Sequence, residues 1–492
     1  MKRRYILQVI LLAITVSSCS KVELNREQYD VILLDQFFKN AKDAQAAVTG
    51  MYRDFSQWGF TGVGDMLGIG WIGESMCDGV ETLWGYDNFT RIQWTKSDDV
   101  ATFQYERLVR SISKATTLIE NLKNCPMADT TLKQRFISEV RGLRALAALY
   151  GYDLYGGLGM ITDPLKLQDL NSDFYQKRLT RSEMADFIIK ECSEIAEYLP
   201  NKYNKGDNDY GRMTKGMVLT VLMKTYMQEH RFSEAEAAAR QIMTLGYSLT
   251  GPSYADIFTI ENEQNDETIW SVGCVPDNED ALGNMWVVAV IPSDLPTQNP
   301  NQQAWDGWRL NWPYYEMFEP FDERLQVLLG QYTNKDGILI DRNSNELSKG
   351  AIPVKYGQDM GSSGVFSGID VIVFRYADVL LSLAECINEN NNGPTQEAID
   401  LLMQIRDRAK ASTKTLADFP SKDSFNLFLL DERGRELFME GHRHMDLTRM
   451  GKYKEMVLLH KGIDMPDYMT VAPIPQNIVD QSKGVVAQNP GY

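Results

Sequence analysis

The densest set of chemically capable side chains lies in Leu429–Tyr453, LLDERGRELFMEGHRHMDLTRMGKY. Glu432, Glu436 and Glu440 recur every four residues, so on one helix running to about Gly441 they stack along a single face. Two carboxylates flanking a scissile bond, roughly 5 to 9.5 Å apart, would serve a glycosidase. The same residues also suit ion pairing. Like charges four apart repel on an exposed helix, and Arg433, Arg435, Arg443 and Arg449 offer guanidinium forks that neutralise them. Leu429, Leu430, Leu437, Phe438 and Met439 give the segment a core-facing side. The interleaved arginines favour a half-buried structural network of Glu432, Arg433, Glu436, Glu440 and Arg443 over a catalytic pair.

A second set is aromatic. Asp78, Trp84, Tyr86, Asp87, Asn88 and Trp94 share an early loop; Trp286 opens the run Trp286–Ile291, which reads as a short strand; Trp305, Asp306, Trp308, Arg309, Asn311, Trp312, Tyr314 and Tyr315 follow closely. Sugar rings present C–H faces that stack on aromatic side chains, and Asp, Asn and Arg hydrogen-bond their hydroxyls. Any one tryptophan is more often core than site, and the 305–315 cluster is the strongest exception. The expected ligand-binding residues are Asp78, Trp84, Tyr86, Asn88, Trp286, Trp305, Trp308, Arg309 and Trp312. The four histidines form no HExxH, the six cysteines no CxxC, and no EF-hand spacing occurs, so neither a metal nor a cofactor is expected. The cysteines other than Cys19 read as buried small hydrophobes, with one disulfide open.

Elements that must position these residues follow from periodicity. The chain has 492 residues, 43% hydrophobic and 24% charged, ordinary for a globular protein. Its net charge of −17 repels nucleic-acid phosphates. Asp35–Phe55 contains an Ala-rich helix. Phe136, Val140, Leu143, Ala147, Tyr150 and Leu154 form a helical stripe that stops at Gly156-Gly157. Met184 to Leu199 make the next stripe. Thr214–Glu229 and Ser233–Leu245, with Ser233 as N-cap, form a hairpin, and Tyr376–Asn390 with Thr395–Lys410 forms another. Their packing positions are those of degenerate tetratricopeptide-like repeats. Between Gly251 and Val373 the stripes fade and Gly, Pro, Asn, Asp and Trp crowd together. The predicted fold is all-α with little strand: four degenerate hairpins forming a scaffold, and a loop-rich insert mounted on it.

Residues 1–19, MKRRYILQVILLAITVSSC, join a basic start to an apolar run too short to span a bilayer. Val16-Ser17-Ser18-Cys19 resembles a bacterial lipobox, which predicts cleavage after residue 18 and acylation of Cys19. The pattern ERGREL–x3–GHR–x2–DLTRMG (432–451), the helix VRGLRALAALYGYDLYGGLGMITDP (140–164) and the tail APIPQNIVDQSKGVVAQNPGY (472–492) resemble the SusD/RagB family of surface nutrient-binding lipoproteins. SKVELN after Cys19 departs from the family in lacking an acidic run. The resemblance implies one unit, 19–492, comprising a helical scaffold (19–250), a binding insert (251–373), a second scaffold segment (374–453) and a tail (454–492). It also implies a non-catalytic protein of the outer membrane, lipid-anchored and surface-exposed, that binds oligosaccharide and delivers it to a TonB-dependent transporter. The alternatives are a glycoside hydrolase using Glu436 and Glu440, or Asp78 with a distant partner, and a helical-repeat adaptor that binds protein.

Overall fold

The computed structural model describes residues 37–57, 69–84, 87–168, 175–251, 253–276 and 283–492. Its backbone is a sequential stack of helices: α1 (Ala41–Gln57), α2 (Ile69–Ser75), α3 (Asp99–Asn124), α4 (Thr130–Tyr155), α5 (Arg181–Ile195), α6 (Lys215–Gln228), α7 (Phe232–Met243), α8 (Tyr376–Asn390), α9 (Gln396–Arg408), α10 (Lys422–Leu437), α11 (Arg443–Arg449) and α12 (Tyr453–Lys461). Helix α3 packs on α4, α4 on α5, α5 on α6, α6 on α7, α7 on α8, and α8 on both α9 and α10. Neighbours in sequence are thus neighbours in space, as in tetratricopeptide-like arrays.

Local chemistry explains the boundaries. Asp129 caps α4 by accepting from Leu132 N–H at 2.9 Å, and Gly156 closes it with φ +75°, a conformation that costs glycine nothing. Thr214 and Thr395 cap α6 and α9 in the same way. The stripe expected on α4 is buried, and so is almost every other residue from Phe136 to Tyr155. The helix is surrounded, and its polar groups are therefore paired: Arg144 with Glu191 at 2.7 Å and Asp153 with His444 at 2.8 Å. Ser233 is not the N-cap of α7. The helix begins one residue earlier, at Phe232, and the Ser233 hydroxyl meets Asn390 at 3.1 Å.

Strands are few and tie distant chain segments together. β1 (Val80–Thr82) pairs antiparallel with β3 (Trp308–Leu310), and β2 (Thr268–Val272) with β6 (Val371–Arg375); β4 (Tyr332–Thr333) and β5 (Leu339–Ile340) form a small hairpin. The β2–β6 pair closes the insert at its root, so the insert leaves and rejoins the scaffold at one place. The run Trp286–Val290 is a single helical turn rather than the expected strand. All five side chains are buried, and an apolar run buried on every side does not reveal its period. The tail returns to the scaffold. Ala472 N–H bonds Leu154 O at 2.7 Å, and Trp94 Nε1 donates to the Tyr492 hydroxyl at 2.6 Å, which makes Trp94 a core residue. The five cysteines described are free.

Helix α10 ends at Leu437, four residues before Gly441. Phe438 is extended, and Met439 and Gly441 have φ of +59° and +81°, so Glu440 sits past the helix rather than on it. The physical reason lies in the last carbonyls. Arg375 Nη2 and the Tyr254 hydroxyl take Glu436 O at 2.6 and 2.5 Å, and Lys355 Nζ takes Phe438 O at 2.7 Å. Around this terminus the three glutamates converge. Glu432 meets Arg324, Arg406 and Arg435 at 2.8, 2.6 and 2.7 Å. Glu436 meets Arg375, Arg408 and Arg324 at 2.6, 2.5 and 3.1 Å. Glu440 meets Arg375 and Lys355 at 2.8 and 2.5 Å. Glu267 bridges Arg375 and Arg408, Asp322 pairs with Arg324, and Glu319 with Arg406. Six carboxylates thus face six cations. A second set adjoins it: Arg433 joins Asp378 and Asp446, Lys224 joins Asp378, and Arg449 joins Glu385.

Burial alone would push the Glu436 carboxyl up, but Arg408, Arg375 and Arg324 hold it at about 2; Arg433 and Arg449 do the same for Asp446, also at about 2. Both groups ionise more readily folded than unfolded. Their stabilising contribution is therefore complete above the ordinary value, 4.5 for Glu and 3.8 for Asp, and is lost as pH falls through about 2. Denaturant titrations should show stability declining steadily below about pH 4.5. Glu436→Ala, which takes one carboxylate partner from each of three buried guanidiniums and unbalances the network's charge, should cost about 3–5 kcal/mol at neutral pH.

Candidate glycan-binding site

The β1–β3 pairing sets Val80, Glu81 and Thr82 opposite Leu310, Arg309 and Trp308. This brings the early aromatic loop against the insert. Thr82 Oγ1 and Leu83 N–H both donate to Gly307 O, at 3.1 and 2.8 Å, and Trp84 Nε1 donates to Trp305 O at 3.1 Å. The Trp84 ring lies 6.3 Å from that of Trp305, tilted by 60°, and 5.9 Å from that of Trp308, edge to face. Gly307 makes the approach possible: a Cβ there would sit 2.2 Å from the Trp84 ring. Trp84 and Trp305 are half-buried. Trp305 is backed by Met285, Val288, Val365 and Phe366, and its Nε1 meets Gln303 Oε1 at 3.3 Å. Leu83 is exposed beside Trp84, and Lys349 Nζ holds Thr82 O at 2.6 Å.

Trp312, also half-buried, donates its Nε1 to Leu347 O at 2.9 Å and packs edge to face on Tyr315 at 5.3 Å. The exposed Arg342 guanidinium lies 4.8 Å above the Trp312 ring and pairs with Glu316 at 3.0 Å.

Other expected site residues lie elsewhere. Asp78 is fully buried, clamped by Arg443 at 2.9 and 2.7 Å and by His460 Nδ1 at 2.9 Å. Burial raises its carboxyl pKa, yet Arg443 and His460 overrule this and hold it well below the usual range. It anchors the loop that carries Trp84 instead of facing a ligand. Trp286 and Trp308 are 5% and 3% exposed, and Arg309 is fully buried, so none offers a face to a sugar. Apolar packing claims the two indoles, and backbone carbonyls with Asp306 claim the guanidinium. Asn88 is exposed and meets Asp98 at 3.3 Å; no contact joins it to Trp84 or Trp305. Tyr86 and Cys19 fall outside the described residues. Sequence reasoning missed Leu83, Gln303 and Lys349, although Asp306-Gly307, a turn dipeptide, marked the bend that exposes Trp305.

Among the described residues no group of three or more His, Cys, Asp or Glu side chains is arranged to hold a metal, and no helix is long and apolar enough to cross a membrane.

Residues 324–492 match the model of the SusD family. A SusD-like protein of Formosa agariphila is 25% identical over 93% of this chain and 92% of its own length. The starch-binding protein SusD of Bacteroides thetaiotaomicron is 22% identical, covering 84% of this chain and 83% of its own. Among solved structures, surface glycan-binding protein A of Bacteroides thetaiotaomicron, in complex with laminarihexaose, superposes with a TM-score of 0.75 at 19% identity, over 92% of this chain and 99% of that one.

Gly307→Ala should push the Trp84 indole off its seat while leaving the fold intact. Acrylamide quenching of tryptophan fluorescence should then increase, with the far-ultraviolet circular dichroism unchanged.

Proposed function

We propose, for a chain whose C-terminal third matches the SusD family model and whose fold is similar to that of SusD-like proteins, that it captures oligosaccharide at the cell surface and hands it to a TonB-dependent outer-membrane transporter without catalysing a reaction. The observation that carries this reading is the Trp84–Trp305 pair, two half-exposed indoles fixed by backbone hydrogen bonds. Indoles of this kind stack on sugar C–H faces, and because they are already ordered, capture costs little further side-chain entropy. The similar proteins named for starch binding and for a laminarihexaose complex support the ligand class. Anchoring through Cys19 and handover to a transporter rest on the lipobox-like sequence and on family resemblance.

Buried carboxylates argue against the hydrolase reading. Glu436 and Glu440 are closed to solvent, and Glu436 is held at about 2, where it cannot serve as a general acid at neutral pH.

In native gels cast with laminarin, starch and a panel of other polysaccharides, the soluble chain from Ser20 should be retarded without releasing reducing ends. Trp84→Ala and Trp305→Ala should each weaken retardation about tenfold, the loss of roughly one stacking contact. New reducing ends in those mixtures would sink the binder reading. In cells, Cys19→Ala should move the protein from the membrane fraction to the soluble one and abolish its labelling by radioactive palmitate.

A further inference from the structure

Asp306 stands between the two indole seats with φ +50°, a left-handed conformation that aspartate tolerates better than most residues. The bend has a visible cause. The turn Trp286–Val290 is followed by Pro292, which has no N–H to give Val288 O, and the neighbouring carbonyls are also left without helical partners. The 305–309 segment satisfies them in turn. Trp305 N–H donates to Val288 O at 2.8 Å, Gly307 N–H to Ala289 O at 2.8 Å, and Asp306 N–H to Ile291 O at 3.0 Å. Arg309 Nη1 reaches Val290 O at 3.4 Å. Consecutive amides of an extended strand point to opposite sides, so three in a row aimed at one turn require the bend at Asp306.

Arg309 completes the arrangement. Its guanidinium has no exposed surface, and it donates to Trp308 O at 2.9 Å and Glu346 O at 3.1 Å. Its one carboxylate partner among the described residues is Asp306, through Oδ1. The Asp306 side chain is 36% exposed, and among the described residues its hydrogen bond and ion pair both run through Oδ1 to Arg309. One oxygen is therefore held by a buried cation, which leaves the other free to accept from a ligand on a part-exposed residue adjacent in sequence to Trp305.

We propose that Asp306 is a ligand-binding residue of this site. Oδ1, locked by Arg309, fixes the bend that presents Trp305 and seats Trp84, and Oδ2 accepts hydroxyl hydrogen bonds from the sugar stacked on Trp305. Arg309 is then a positioning residue. A carboxylate oxygen oriented in advance accepts more strongly than an amide and loses little freedom on binding. The proposal rests on the glycan reading above.

The test compares wild type, Asp306→Asn, Asp306→Ala and Trp305→Ala in the soluble chain, using laminarin, starch and the same polysaccharide panel. Asparagine keeps the size, the tolerance of positive φ and one acceptor for Arg309, but puts an amide where Oδ2 was. Asp306→Asn should bind about tenfold more weakly with unchanged acrylamide quenching, whereas Asp306→Ala should lose affinity and gain quenching together. A purely structural role predicts that any affinity lost in Asp306→Asn comes with a gain in quenching, because asparagine leaves the buried Arg309 charge unpaired; that outcome, or wild-type affinity in Asp306→Asn, would overturn the proposal. If Trp305→Ala loses binding in that case, the glycan reading stands and only the assignment of Asp306 falls. A wild type retarded by no polysaccharide of the panel would overturn both.

Discussion

Six carboxylates and six cations meet inside this protein, all but Glu319 with almost no access to water, and the insert is fixed to the scaffold through them. Arg324 and Lys355 belong to the insert, Arg375 to the β6 strand at its root, and Glu267 directly precedes β2. Arg406 and Arg408 come from α9, and Glu432 and Glu436 from α10. Each ion alone would cost several kcal/mol to bury. Together they are electrically neutral and hydrogen-bonded, often two cations to one carboxylate. A network of this kind tolerates little rearrangement, because any shift leaves a charge unpaired in a low-dielectric interior. The insert is long and poor in regular structure, and on backbone hydrogen bonds alone it would have little to hold its shape. The network supplies that rigidity.

The same logic continues outward to the aromatic surface. Asp78, clamped by Arg443 and His460, ties the early loop to the C-terminal helices. From that anchor β1 runs to β3, and β3 ends beside the Gly307 seat. Trp84 and Trp305 are thus held by a succession of buried contacts reaching back to the charged core. A binding surface ordered before its ligand arrives binds with less entropic loss than a mobile loop would. The tail contributes too: Asn489 donates to Tyr155 O and Ala472 O, and Tyr492 accepts from Trp94, pinning the scaffold where the early loop departs.

Much of the scaffold was legible from periodicity. The α4 stripe, the glycine stop at Gly156, the hairpins at 214–245 and 376–410 and the change of texture at Gly251 all follow from spacing and turn chemistry. That Glu432 and Glu436 need opposing charges was legible as well, but of the arginines in their own segment only Arg435 pairs with them; Arg324, Arg375, Arg406 and Arg408 come from elsewhere, while Arg433, Arg443 and Arg449 turn to Asp378, Asp446, Asp78 and Glu385. Three local readings failed for identifiable reasons, the first being the run of α10 to Gly441, which stops at Leu437 where Arg375, Tyr254 and Lys355 bond the last carbonyls. Trp286–Val290 has the composition of a strand, but it is enclosed on all sides and its carbonyls are satisfied by the 305–309 segment, so tertiary contacts chose the helical turn. Ser233 suits an N-cap, but the helix begins at Phe232 and the hydroxyl bonds Asn390 instead.

The sequence by itself determined most of the scaffold helices, that the chain is acidic and all-α, and that the glutamates of Glu432–Glu440 require opposing charge. These properties are set by residues within a few turns of one another, where spacing fixes geometry. Tertiary structure alone decided which tryptophans reach the surface and which carboxylates face solvent. Trp305 and Trp308 are three residues apart with identical side chains, yet one is half-exposed and the other is core. The difference comes from an antiparallel partner more than 200 positions earlier and a turn completed by Pro292. Burial depends on what packs against a residue from elsewhere in the chain, and no local pattern encodes that.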